Sequence, residues 1–230
     1  MSNLVGTIVF ITYLGTASFL IEYEGTTIIT DPGDFLTGRL TEDMASALGT
    51  IDAIVVTHAD FDHTNRIRNI QDAERIPIVG PRALVSMLPS HTVITDRNCQ
   101  IGTISITRLE SVHGVRHDVE HWAYIIAMGD VSLCFLGDAY RVSGFPDRIP
   151  DVAFVTVGGL EANPQNGAAL VASLGAALAI PMHWEVLFRT NDRAEEFCRE
   201  ASRRVPAIGC YIPQFNKKFS IGKSDRIVIE

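Results

Sequence analysis

Seven consecutive residues, Thr57-His58-Ala59-Asp60-Phe61-Asp62-His63, constrain this chain more than any other stretch. They follow directly on the apolar run Ile51-Asp52-Ala53-Ile54-Val55-Val56. Nearly continuous Ile, Val and Ala over so short a span predicts a strand buried on both faces. A buried strand that ends in two imidazoles and two carboxylates is costly. The groups lose water together, and the carboxylates repel, unless a cation sits among them. A polar loop with chance histidines leaves that cost unexplained, so the stretch is read as a candidate metal site.

The 230 residues suit one domain, and 47% hydrophobic residues supply a sizeable core. A formal charge of -8 argues against a nucleic-acid partner, because phosphate binding needs a basic face. No run reaches the roughly 18 apolar residues of a membrane span. The start, Met1-Ser2-Asn3-Leu4, lacks the pattern of a signal peptide. Cys99, Cys134, Cys198 and Cys210 form no C-x-x-C pair, and their spacing favours no disulfide. The expectation is a soluble, reduced, cytoplasmic protein with a small-molecule substrate and no membrane partner. Homo-oligomerisation stays open.

Strands are predicted at 8–13, 18–23 and 26–30, with Glu24-Gly25 as a hairpin turn. A short helix over 41–48 takes Thr41 as its N-cap, with Glu42 and Asp43 in the first turn. The stretch 65–72 reads as helical. A strand at 76–79 precedes a helix at 81–88, with Pro81 at its start. Short strands are expected at 93–95, 99–101 and 104–111. Gly129-Asp130 joins strands at 122–128 and 131–136. A strand at 152–157 leads to a helix at 166–174, and a strand at 177–180 to an amphipathic helix at 191–203. Two runs of strands with helices between and after suggest two packed sheets with outer helices, an α/β/β/α sandwich.

One pattern recurs along the chain. Apolar strands end in a potential ligand: 54–57 in His58, 104–112 in His113, 133–137 in Asp138, and 178–182 in His183. Strand ends hold side chains rigidly, which suits a preorganised metal site.

The pattern Thr-His-x-x-x-Asp-His after a strand, a later His, then Gly-Asp and a last His resembles the metallo-β-lactamase superfamily. Gly15-Thr16-Ala17-Ser18 and Thr30-Asp31-Pro32 match its opening, and the resemblance covers almost the whole chain. Within it, Ile78-Val79-Gly80-Pro81, Asn163-Pro164 and Pro181-Met182-His183-Trp184-Glu185 look like the group of L-ascorbate-6-phosphate lactonase and related metal-dependent hydrolases. The resemblance implies an α/β fold, a metallo-β-lactamase-type four-layer α/β/β/α sandwich, in a single domain. It also implies two divalent metal ions (Zn, Mn or Fe). His58, Asp60 and His113 would hold the first, Asp62, His63 and His183 the second, and Asp138 would bridge them. A metal-activated water would be the nucleophile, with Asp62 and Asp138 as catalytic carboxylates.

The chain departs from the family at Asp60, where the motif has histidine. Three readings are open. Asp60 ligates and shifts the preference toward Mn or Fe, much as the flavodiiron branch carries a glutamate there. It falls short, leaving one metal. Or the site is degenerate and the protein is a binding module. Arg116, His117, Arg141 and Trp184 are the candidate substrate contacts. His113, His117 and His121 are spaced by four, so on a helix they would share one solvated face. Glu185 is a candidate for orienting a ligand, and Asp31 for organising the loop beneath the metals. The function implied is hydrolysis of a lactone or related ester of a sugar-acid or small metabolite, with a phosphodiesterase as the alternative.

Overall fold

The computed structural model describes residues 6–114, 116–144, 149–159, 162–185, 191–223 and 227–230. The N-terminal residues read above for a leader lie outside these. The N-terminal part of the chain forms β1 (Ile8–Gly15), β2 (Ser18–Tyr23), β3 (Thr26–Thr30), α1 (Glu42–Ser46), β4 (Ala53–Val55), α2 (Phe61–Thr64), β5 (Ile78–Val79), α3 (Ala83–Met87) and β6 (Val93–Ile94). The middle adds β7 (Asn98–Ile101), β8 (Ile104–His113), β9 (Trp122–Met128), β10 (Val131–Phe135), β11 (Ala139–Ser143) and β12 (Val152–Thr156). The remainder supplies α4 (Pro164–Leu174), β13 (Leu178–Met182), α5 (Asp192–Arg204), β14 (Gly209–Cys210), β15 (Lys218–Lys223) and β16 (Ile227–Ile229).

Among the described residues one sheet has the order β16-β15-β1-β2-β3-β4-β5-β6. The other runs β11-β8-β9-β10-β12-β13-β14, with β7 paired to β8. In each sheet an antiparallel part gives way to parallel strands, β3 to β6 in the first and β10, β12, β13 and β14 in the second. Of these, β4, β5, β10, β12 and β13 are apolar-rich and buried along their whole length, as strands covered on both faces must be.

Residues of alternating parity belong to different cores. Ile28, Ala53, Val55 and Val79 join the large core that includes Leu133, Phe135 and Phe154 of the second sheet. Ile29, Ile54, Val56 and Ile78 pack instead with Leu40, Ala45, Ile67 and Leu84 of the loops and short helices. This period of two puts one core between the sheets and another beneath an outer layer. On the second sheet, α4 and α5 pack against β12 and β13 through Ala168, Val171, Ala194, Phe197 and Ala201. The result is the four-layer α/β/β/α sandwich expected from the strand pattern.

The caps are local. Thr41 Oγ accepts the Met44 N–H at 3.2 Å to start α1. Asn163 Oδ1 accepts the Asn166 N–H at 2.8 Å to start α4.

Three expectations need correction. Residues 65–72 are not an α-helix but 3₁₀ turns at Ile67–Asn69 and Ala73–Arg75. Buried Ile67, Ile70, Ala73 and Ile76 recur every third residue, which matches three residues per turn. Strand β11 was not anticipated, because its largely exposed residues present no apolar run. Cys198 and Cys210 form a disulfide linking α5 to β14. Their sequence spacing carries no sign of it, because only the packing of α5 beside the sheet brings them together.

Candidate metal centre

Each expected ligand lies at or just beyond the C-terminal end of a strand. His58 stands three residues past β4, and Asp60, Asp62 and His63 occupy the start of α2. His113 is the last residue of β8, Asp138 lies between β10 and β11, and His183 follows β13. Two glycines permit the close approach beneath them. A Cβ on Gly33 would stand 2.2 Å from the Asp62 carbonyl oxygen, and one on Gly158 would stand 2.1 Å from that of His183. His183 itself adopts φ 65, an unusual conformation for a side chain to carry.

The seven side chains converge. Asp60 Oδ2 is 3.7 Å from His58 Nε2 and 3.9 Å from His113 Nε2. Asp62 Oδ2 is 3.1 Å from His183 Nε2 and 3.9 Å from His63 Nε2. Asp138 Oδ2 lies between, 3.6 Å from His63, 3.8 Å from His113 and 3.9 Å from His183 at Nε2. Within each of the sets His58/Asp60/His113, His58/His63/Asp138 and Asp62/His63/His183, the donor atoms lie within 4.8 Å of one another. Two ligands each about 2.1 Å from one ion stand roughly 3–4 Å apart, so the spacing is of the right size.

The chemistry of the donors also fits a metal. His58 Nε2 and His63 Nε2 are buried, point into the cluster and have no hydrogen-bond partner. Their other nitrogens are occupied. His63 Nδ1 is 2.8 Å from Asp31 Oδ2, and His58 Nδ1 is 2.9 Å from Thr57 Oγ. Asp31 accepts only, and Thr57 Oγ gives its single proton to Asp31 at 2.7 Å. Both Nδ1 atoms are therefore donors, and Nε2 is the atom that each ring offers to the centre. His113 differs. Its Nδ1 accepts the Arg116 backbone N–H at 3.1 Å, which assigns its proton to Nε2 in the metal-free chain. Metal binding at that atom requires the other tautomer.

Burial, then the neighbouring His63, hold the His58 pKa well below its ordinary value, so His58 is neutral. Burial alone would lower His63 too, but the Asp138 and Asp31 carboxylates outweigh it and raise its pKa well above the ordinary value. Burial would raise Asp138, yet His183 and His63 hold it well below the usual carboxylate range. His63 thus carries a proton at neutral pH in the metal-free chain. The stability from that protonated state is fully present below the ordinary histidine value and is lost as pH rises through the raised one. A metal at His63 must displace this proton. Metal affinity is therefore expected to strengthen as pH rises until the raised His63 value is passed, with proton release at neutral pH. Calorimetric titration in buffers of different ionisation enthalpy measures it. Binding with no proton release at neutral pH would contradict this assignment.

The cluster floors a cleft of about 940 Å³. Arg116 lines it and pairs with Asp60 Oδ1 at 2.7 Å. The other substrate candidates fall elsewhere. Trp184 is a correction. It is buried, stacks on Tyr13 at 5.1 Å and donates Nε1–H to Asn191, so it belongs to the core beneath the site. His117 and Arg141 are exposed and outside the cleft lining, His117 on a turn and Arg141 on edge strand β11. Glu185 accepts from Tyr13 Oη at 3.2 Å and pairs with Arg39 at 3.1 Å, rather than orienting His183. His113, His117 and His121 share no helix, since β8 ends and a turn intervenes.

Two supporting roles were not anticipated. His121 is buried and accepts the Asp138 backbone N–H at Nε2, 3.1 Å away. Its Nδ1–H therefore donates to Ser111 Oγ at 2.7 Å. Thr156 Oγ lies 3.0 Å from Asp138 Oδ1. The only sequence signal for Thr156 is a hydroxyl within the apolar run at 152–157.

The family described as Beta-lactamase superfamily domain matches residues 10–183. A UPF0173 protein of Pyrococcus furiosus is 28% identical over 203 residues, covering 84% of this chain and 91% of that protein. A UPF0173 metal-dependent hydrolase of Exiguobacterium is 24% identical over 212 residues, covering 84% and 94%. A novel metallo hydrolase from Ignicoccus hospitalis has a solved structure that superposes with a TM-score of 0.72 at 16% identity, over 95% of this chain and 100% of that one. With the sandwich and the converging donors in place, the match shows that this chain belongs to the β-lactamase superfamily domain family, with the metallo-β-lactamase fold.

Proposed function

We propose that this protein is a metal-dependent hydrolase that opens an uncharged lactone or a related ester of a small metabolite. The similarity to UPF0173 metal-dependent hydrolases supports the reaction class. The observation that carries the reading is the convergence of the seven donors, with His58 and His63 presenting buried, unpartnered Nε2 atoms to the centre. His58, Asp60 and His113 would hold one ion, Asp62, His63 and His183 a second, and Asp138 both. Imidazole and carboxylate donors suit Zn, Mn or Fe, and the extra carboxylate at Asp60 favours Mn or Fe. When bound, the metals supply Lewis acidity and lower the pKa of water toward neutrality.

The residues of the chain do the rest. Burial would raise the Asp62 pKa, but the hydrogen bond with His183 and the charges of His63 and His183 together outweigh this and keep it below the usual range. Asp62 is therefore an anionic acceptor at the cleft floor, suited to orienting an attacking water. Phe35 and Phe61 line the cleft while remaining 41% and 66% exposed, a bare aromatic surface for the substrate body.

The lining also weighs against a phosphodiester. Asp118 and Glu120 join the carboxylates of the site. Among the described lining residues Arg116 supplies the one Lys or Arg side chain, and Asp60 already engages it.

Elemental analysis of the purified protein, with a hydrolysis screen of lactones and phosphodiesters, tests the proposal. About two metal ions per chain, and lactone turnover lost on chelation and restored by Mn, Fe or Zn, are expected. Protein that retains no metal after reconstitution, and whose stability ignores chelator, would instead be a binding module.

A further inference from the structure

Asp60 occupies a position where an imidazole would be neutral, and its carboxylate adds a negative charge beside Asp62 and Asp138. The structure shows how that charge is met. Arg116 Nη1 lies 2.7 Å from Asp60 Oδ1, while Oδ2 of the same carboxylate turns toward His58 and His113 at 3.7 and 3.9 Å. One oxygen is thus held by the guanidinium and the other faces the donor set. Although Asp60 is the N-cap residue of α2, its side chain makes no capping bond. Its backbone carbonyl accepts from the Thr64 hydroxyl at 2.9 Å and the His63 N–H at 3.1 Å. The backbone is therefore anchored by the helix, and the carboxylate's rotation is set by Arg116.

Resting on the metal reading above, we propose that Arg116 is a positioning residue for metal binding. It fixes Asp60 as a single-oxygen donor and balances its charge, so that the Asp60–Arg116 pair replaces a neutral histidine. The charge count supports this. Asp60 and Arg116 together add nothing to Asp62 and Asp138, just as an imidazole would add nothing. A carboxylate whose second oxygen is hydrogen-bonded also has less rotational freedom to lose when it ligates. The Arg116 side chain is 53% exposed. Its replacement should therefore leave the fold intact.

The test is a cycle of wild type, Arg116→Ala, Asp60→His and the double variant, with Arg116→Gln alongside. Affinities for Mn²⁺ and Zn²⁺ are measured by competition with a chromophoric chelator. Thermal melts of the metal-free proteins report folding. With Asp60 in place, removing Arg116 is expected to weaken one of the bound equivalents by about 10- to 100-fold, as loss of an outer partner of a ligand does. In the Asp60→His background the same change is expected to leave affinity unchanged or to strengthen it, because the imidazole needs no counter-charge. Arg116→Gln retains hydrogen-bond donors without the charge, and is expected to fall between wild type and Arg116→Ala. Equal losses in both backgrounds, or no loss with Asp60 in place, would overturn the role of Arg116 and leave the metal reading standing. Wild-type protein that binds neither ion would overturn the metal reading, and this inference with it.

Discussion

Asp138→Asn is expected to yield a folded protein with roughly a thousandth of the wild-type turnover. The estimate follows from the several kcal/mol a metal contributes to stabilising transition-state charge, at about 1.4 kcal/mol per tenfold in rate. Asp138 stands at the meeting point of the cluster, with Oδ2 within 3.9 Å of Nε2 on His63, His113 and His183. The amide has the same shape but no charge. It offers either a weaker oxygen donor or an NH₂ group turned toward the centre. His183 and His63 hold the Asp138 pKa far below its usual range, so the lost group is an anion at every working pH. The fold should survive, because the backbone of residue 138 is held independently by His121 Nε2, at 3.1 Å from its N–H, and by Gly114 N–H, at 3.1 Å from its carbonyl. Steady-state kinetics on the substrate found by the lactone screen, together with metal content, measure the effect. Wild-type turnover in the variant would remove Asp138 from the shared position.

Much of this centre can be read from the residues, and the reason is geometrical. A buried parallel strand is a continuous apolar run, and its end is marked by the first polar side chain. Thr57-His58, Asp138 and His183 are such ends, His113 closes the antiparallel strand β8, and the topology gathers all four at one edge of the sandwich. Contacts between strands distant in sequence are a different matter. The Asp60–Arg116 ion pair joins residues 56 apart, and nothing local to either names the other. His121 looked like a member of a spaced histidine series, yet its partner is a backbone N–H 17 residues away. Trp184, next to a ligand in sequence, points into the core because the chain turns at His183, whose φ is 65, and sends the two side chains to different places. The 3₁₀ turns at 67–75 show another limit. Apolar spacing of three fits both helix types, and without a longer run the α-helix is the natural misreading.

Asp31→Ala is expected to destabilise the metal-free protein by about 3–5 kcal/mol, the range for removing one member of a buried charged pair. Asp31 is fully buried at the end of β3. Its carboxylate accepts the Thr57 N–H and the Thr57 hydroxyl, each at 2.7 Å, and faces His63 Nδ1 at 2.8 Å. Its own backbone N–H donates to Val55 at 2.8 Å, so the residue ties β3 to the strand that delivers the ligands. Removing the carboxylate leaves a buried imidazole and a buried N–H unsatisfied, each with a desolvation penalty. Asp31→Asn separates this structural role from the chemical one. Asparagine keeps the volume but offers one acceptor oxygen. If that oxygen stays with Thr57 N–H, the NH₂ group meets His63 Nδ1. Nδ1 must then accept, which puts the imidazole proton on Nε2 and blocks the atom that faces the metal. Asp31→Asn is therefore expected to lose stability less than Asp31→Ala, yet to lose metal affinity by at least about tenfold. Chemical denaturation in chelator gives the first quantity, and metal competition gives the second. Wild-type metal affinity in Asp31→Asn would show that His63 does not owe its tautomer to Asp31. Stability of Asp31→Ala within about 1 kcal/mol of wild type would show that Thr57 and His63 find other partners.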